Sequence, residues 1–154
     1  MSKDEVVSIL EQAKTCFLKS EGALFTNDAN ERSLTHKFAE YMQMVIGHEW
    51  SVDCEYNRSG SDPKKIDVLR RIVGDNTTTY ETKSKTIYPD IIVHRRSKQG
   101  PNLLVIEAKK DATTKERELD TTKLKVIQDT YGYSFAVFMD FKVSTKNDIV
   151  FTVV

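Results

Sequence analysis

Three side chains in the middle of the chain have the types and spacing for acid–base and cation chemistry: Asp90, Glu107 and Lys109. They stand at the ends of two apolar runs, Ile91–Val93 and Leu103–Ile106, which flank a turn-rich stretch holding Ser97, Gly100 and Pro101. That pattern predicts a β-hairpin. Symmetric pairing about Lys98 and Gln99 sets Asp90 opposite Glu107. Strand side chains alternate between faces, so Glu107 and Lys109 point the same way and Ala108 the other. Two carboxylates and an ammonium would then converge at one end of a rigid hairpin. Carboxylates forced together repel one another unless positive charge lies between them. A divalent cation is the obvious candidate.

The elements that must position these groups are legible on either side. Lys3 to Ser20 predicts an amphipathic helix with Val6, Val7, Leu10, Ala13, Phe17 and Leu18 near one stripe, ended by Glu21-Gly22. Asn27-Asp28-Ala29-Asn30 is turn and capping chemistry. A second helix is expected from Glu31 to Ile46, with Leu34, Phe38, Tyr41, Met42 and Val45 at helical spacing and Gly47 as its stop. Trp50 to Tyr56 alternates as a half-buried strand, with Ser51, Asp53 and Glu55 on the solvated face. The segment 57–86 is the least regular; it reads as a loop with at most one short helix, an irregular insertion. After the hairpin, a helix is expected from Thr113 or Thr114 to about Thr130, with Leu119, Lys123, Val126 and Ile127 near one face and Gly132 as its stop. Strands follow at Tyr133–Phe141 and Ile149–Val153.

From residue 31 to 141 the order is therefore α-β-β-β-α-β. With Pro89-Asp90 as a PD element and Glu107-Ala108-Lys109 as an ExK element, this span resembles the PD-(D/E)xK, or restriction-endonuclease-like, nuclease superfamily. The resemblance implies an α/β fold: an αβββαβ core with a mixed central sheet flanked by helices, here with an extra N-terminal helix and C-terminal strand. The strand–helix–strand from Leu103 to Phe141 would be a right-handed parallel crossover. It implies a metal-dependent nuclease that hydrolyses phosphodiester bonds, with DNA as the expected polymer and Mg²⁺ as cofactor, Mn²⁺ being a possible substitute. Asp90, Glu107 and the carbonyl of Ala108 would hold the metal, and Lys109 would act on the attacking water. Many members add a glutamate from the first core helix. At about 100° per residue, Glu31 lies within roughly 60° of Leu34, Phe38 and Met42, whereas Glu40 is nearly opposite. Glu31 is therefore the expected fourth catalytic and metal-binding residue. Lys123, Arg95, Arg96 and His94 are the expected substrate contacts, with Gln128 and Tyr131 as weaker ones.

Each of these assignments competes with a plainer one. Glu31 is also a first-turn carboxylate of the kind a helix dipole favours. A lysine such as Lys123 on an apolar face usually snorkels to water. Charged clusters such as Lys64-Lys65, Arg70-Arg71, Arg95-Arg96 and Lys109-Lys110 are commonly solvated faces. Asp90, Glu107 and Lys109 could be a structural ion cluster, but a strand as apolar as Leu103-Leu104-Val105-Ile106 running straight into Glu-Ala-Lys breaks the local packing rule, as functional sites do.

At 154 residues the chain fits one domain, 1–154, with a core at about 31–141. No apolar run approaches membrane-spanning length and the charged N-terminus lacks a signal-peptide core, which implies a soluble cytoplasmic protein. Cys16 and Cys54 have no metal-ligand spacing, and neither do His36, His48 and His94 among themselves. The 23 basic and 23 acidic residues cancel, where a phosphate-binding protein usually shows a basic excess. This balance motivates a second expectation of a different class, a nuclease-like fold that no longer cuts and serves as a binding or assembly module. A domain this small cannot wrap a duplex alone, so a homodimer or a partner protein is expected.

Overall fold

Ser2 opens the first helix with a reciprocal capping box: its hydroxyl accepts from the Glu5 amide at 3.2 Å, and Glu5 Oε2 accepts from the Ser2 amide at 2.6 Å. The computed structural model describes residues 1–56, 86–96 and 100–154, and between 57 and 85 the backbone of strand segments alone. Helix α1 (Lys3–Thr26) buries Val6, Leu10, Ala13, Phe17 and Phe25. The expected stop at Glu21-Gly22 is a kink: Glu21 leaves helical geometry at φ -116°, ψ 18°, and its carboxylate accepts from the Tyr41 hydroxyl at 2.9 Å. The chain then resumes as helix and carries Phe25 into the core.

Asn30 caps α2 (Glu31–Ile46), its side chain accepting from the Ser33 amide at 2.9 Å. Gly47 ends that helix at φ 79°, a conformation that disfavours a Cβ. Gln43 ties α2 to the next strand. Its Nε2 donates to the carbonyls of Gly47 and Trp50, and its Oε1 accepts from the Val52 amide at 2.9 Å. The remaining elements are β1 (Ser51–Cys54), β2 (Arg58–Ser59), β3 (Asp62–Pro63), β4 (Lys65–Val73), β5 (Thr78–Thr86), β6 (Ile91–His94), β7 (Asn102–Lys110), α3 (Thr114–Tyr131), β8 (Tyr133–Lys142) and β9 (Asp148–Val153).

Five strands form a mixed sheet in the order β1-β6-β7-β8-β9. β6 and β7 pair antiparallel with Ile91 opposite Ile106 and Val93 opposite Leu104. That is the register symmetric pairing requires, and its continuation puts Asp90 opposite Glu107. The register shifts at Val93/His94, and residues 97–99, which include the expected centre of symmetry, lie outside the described residues. β7 and β8 are parallel, joined through α3, and β8 pairs antiparallel with β9.

The sheet separates two apolar layers. On one face Ile91, Val93, Leu104 and Ile106 pack with Phe17 of α1 and Leu34, Phe38 and Met42 of α2. Phe17 centres an aromatic cluster, its ring 5.8 Å from Phe25, 6.1 Å from Phe38 and 6.1 Å from Phe141. On the other face Ile92, Val105 and Phe138 pack with Leu124 and Ile127 of α3. The fold is thus α/β, three helices against a five-stranded mixed sheet among the described residues. No helix there is long and apolar enough to cross a membrane.

Three expectations need correction. The segment 57–86 is not an irregular insertion with a short helix; β4 and β5 form an antiparallel pair from Lys65↔Thr86 to Val73↔Thr78. Alternation in Lys65-Ile66-Asp67-Val68 and the β-branched threonines of β5 favour strand over helix. Side chains of that segment, including the Lys64-Lys65 and Arg70-Arg71 clusters, lie outside the described residues. Second, α3 is rotated by about a quarter turn from the expected face: Leu124 and Ile127 are buried, while Leu119 and Val126 are exposed, at 61% and 37%. Third, Asp53 is not solvated. Its side chain is 15% exposed and is held by His94 and Arg96.

Candidate active site

Asp90, Glu107 and Lys109 meet at the end of β7, as the hairpin register requires. Asp90 follows Tyr88 and Pro89 into β6. Its Oδ2 accepts from the Ala108 amide at 2.7 Å, which latches the start of β6 to the end of β7. Glu107 follows Ile106 with the same alternation, so its side chain lies on the α3 face and is 3% exposed. Burial in that layer would be prohibitive for an unpaired carboxylate. Lys123 of α3 answers one oxygen, its Nζ donating to Oε2 at 2.6 Å. The other oxygen, Oε1, is buried and has no hydrogen-bond partner.

Burial, and after it the neighbouring Asp90 charge, push the Glu107 carboxyl up to about 7, against the opposing pull of Lys123. Asp90 is also raised, by burial first, although the Ala108 amide, Lys109 and Lys123 favour its ionised form. The Asp90 charge thus disfavours ionisation of Glu107, and the Glu31 charge that of Asp90, a condition a divalent cation relieves.

Glu31 reaches this corner from the other layer. Its Oε1 accepts from Lys109 Nζ at 3.2 Å and its Oε2 from the Lys110 amide at 3.0 Å. Lys110 reinforces the junction by donating to the Ala29 carbonyl at 3.2 Å and pairing with the Asp28 carboxylate. The N-terminus of α2 is thereby clamped to the end of β7. Both Glu31 oxygens are engaged, so in this arrangement Glu31 holds Lys109 rather than facing the Asp90–Glu107 pair. Asp120 of α3, which the sequence reading passed over, flanks the same ammonium at 3.9 Å. Burial lowers the Lys109 pKa, but Glu31 and Asp120 outweigh it and the net shift is upward. Lys109 is thus a charged donor held between two helices.

A second missed carboxylate stands beside Lys109. Asp140 of β8 is in register with it, fully buried, and compensated by Arg117 Nη2 at 2.7 Å, Lys142 Nζ at 2.6 Å and the Ala112 amide at 3.1 Å. The only sequence signal for it was the alternation of Ala136, Phe138 and Asp140 on one face of β8. On the α2 side, a cleft of about 270 Å³ opens onto the corner, lined by Glu31, Arg32, Thr35, His36, Cys54, Glu55 and Asp90. Burial, with Asp53 and Glu55 nearby, pushes the Cys54 thiol in its wall up to about 11, so it stays protonated at neutral pH.

The other expected substrate contacts are not brought here. His94 lies four residues along β6 from Asp90, about 13 Å at strand rise. Its Nε2 is 2.7 Å from Asp53 Oδ2, and Arg96 pairs with the same carboxylate. Arg95 stacks over the Trp50 ring at 4.9 Å and faces Glu49 at 3.4 Å. Gln128 donates to the Ser134 carbonyl at 3.2 Å.

A hard divalent cation fits the Asp90–Glu107 pair on two grounds. Glu107 Oε1 is a buried oxygen without a partner, and both carboxyls are raised in a way that a positive charge between them would reverse. Among the described residues no three His, Cys, Asp or Glu side chains already stand at metal-ligand spacing. Comparison with known proteins gives no matching family model, no similar curated protein and no similar solved structure.

Proposed function

We propose that the protein is a metal-dependent nuclease hydrolysing phosphodiester bonds, with DNA as substrate, and that its core is the restriction-endonuclease-like αβββαβ arrangement. The observation that carries this reading is the buried, unpartnered Glu107 Oε1 beside Asp90, with the Lys109 ammonium on the same strand face. The element order and the β7–α3–β8 parallel connection support it.

Asp90 and Glu107 would hold Mg²⁺ or Mn²⁺, with the Ala108 carbonyl as a further oxygen ligand. When bound, the cation supplies a lowered water pKa and neutralises charge on the phosphate. The chain's own residues do the rest. Lys109, fixed by Glu31 and Asp120, orients the attacking water and stabilises charge developing on the phosphate oxygens. Lys123 offers a second ammonium at the same corner. Arg95 and Arg96 follow the far end of β6, where a bound duplex could reach them, and a second copy or a partner protein would complete the grip on DNA. The test is cleavage of supercoiled, linear and single-stranded DNA with Mg²⁺ or Mn²⁺ by wild type, Lys109→Ala and Glu107→Gln. Cutting that requires metal and is lost in both variants supports the reading; no cutting of any substrate, or equal cutting by all three, overturns it.

The neutral net charge favours a second reading, a binding or assembly module on the same scaffold. It differs in requiring no Mg²⁺ or Mn²⁺ binding that Asp90→Asn removes.

A further inference from the structure

Glu107 has two oxygens in unlike states. Oε2 accepts from Lys123 Nζ at 2.6 Å, while Oε1 is buried without any partner. Lys123 is the member of the pair that reaches solvent. Its side chain is 32% exposed, against 3% for Glu107, and it extends from a helix face that borders solvent, since Leu119 and Val126, one turn away on either side, are exposed. Lys109, by contrast, is flanked by carboxylates from two elements, Glu31 and Asp120. The two lysines at this corner are therefore held unequally: Lys109 from two sides, Lys123 through one short ion pair to one carboxylate.

We propose that Lys123 is a resident counter-ion for Glu107, and that a divalent cation bound at Asp90 and Glu107 displaces it. The inference rests on the cation site proposed above. Its physical basis is charge. A doubly charged ion on the Glu107 carboxylate repels an ammonium on that same carboxylate, and like charges a few ångströms apart in a partly buried corner interact strongly. Glu107 cannot retreat, because it is packed under α3 on a central strand. Lys123 can, because its flexible stem reaches water. Displacement turns an ammonium engaged inside the protein into a free donor at the mouth of the site. It would then face the anionic substrate. Cation binding would thus precede tight binding of a phosphate diester, and the protein without cation would present a self-neutralised corner.

Amine acylation read by mass spectrometry tests this without reference to cleavage. Wild-type protein is treated with an N-hydroxysuccinimide acetate ester with and without Mn²⁺ alone, and bound Mn²⁺ is measured in the same samples from loss of the free-ion paramagnetic resonance signal. Exposed Lys125 serves as the internal reference. The expected result is several-fold faster acylation of Lys123 once Mn²⁺ is bound, with Lys125 unchanged. In Glu107→Gln, which removes the charge holding Lys123, acylation should be fast from the start and insensitive to Mn²⁺. Mn²⁺ binding with no change at Lys123 would overturn the displacement while leaving the cation site intact. Absence of bound Mn²⁺ in wild type would overturn both.

Discussion

Replacing Glu107 by glutamine should make the metal-free protein more stable at alkaline pH, although it removes an ion pair. The Glu107 carboxyl is raised from 4.5 to about 7 in the folded state. Because the folded value lies above the unfolded one, ionising this group opposes folding. The penalty is absent below about pH 4.5, grows as pH rises toward 7, and is complete above it. At 1.36 kcal/mol per pKa unit the full penalty is about 3 kcal/mol. Glutamine matches the neutral acid in shape and does not titrate, and the orphaned Lys123 can turn to water. In EDTA, Glu107→Gln should therefore match wild type near pH 4.5 and exceed it at pH 8.5 by about 3 kcal/mol. That corresponds to a Tm gain on the order of 6–12 °C for a chain of this size. Thermal and urea denaturation across that range measure it. Mg²⁺ should close most of that gap, stabilising wild type by about 2.7 kcal/mol at roughly a hundredfold excess over Kd and leaving the variant unmoved. A variant less stable than wild type at pH 8.5, or a gap that does not change with pH, would refute the claim that Glu107 is held ionised against its environment.

Three further outcomes follow from the geometry. Lys109→Ala should lower kcat for DNA cleavage by about 10²-fold or more, with thermal stability changed far less than activity, as paired kinetics and calorimetry would show. Phe38→Ala removes a fully buried ring from the contact between α2 and the sheet and should cost about 3–5 kcal/mol in urea unfolding, a large share of the roughly 5–15 kcal/mol that holds a domain together. Gly132 caps α3 at φ 66° with open space around its Cα. Gly132→Ala should therefore lose about 1 kcal/mol through backbone strain alone, and Gly132→Asn less, because asparagine tolerates the left-handed conformation.

Much of the scaffold was written locally. Asn30 and Gly47 bound α2 where capping chemistry placed its ends, and Thr113 and Gly132 bound α3 likewise. The kink at Glu21 falls where a helix stop was expected, but burial of Phe25 continues the helix beyond it. The β4–β5 pair was harder to see, because charged residues interrupt its alternation and its apolar positions read equally as a short helix.

The pairing of Asp90 with Glu107 followed from the sequence by itself, because strand alternation and hairpin register are local rules with a period of two. The tertiary structure decided what surrounds that pair. Helix α3 carries few apolar side chains, and periodicity alone grouped Ile127 with Leu119 and Val126, whereas the buried face is Leu124 with Ile127. The chosen face also brings Lys123 to Glu107, Arg117 to Asp140 and Asp120 to Lys109. Buried carboxylates on β7 and β8 need cations from the layer above them, and that need crosses from strand to helix, where no spacing along the chain records it.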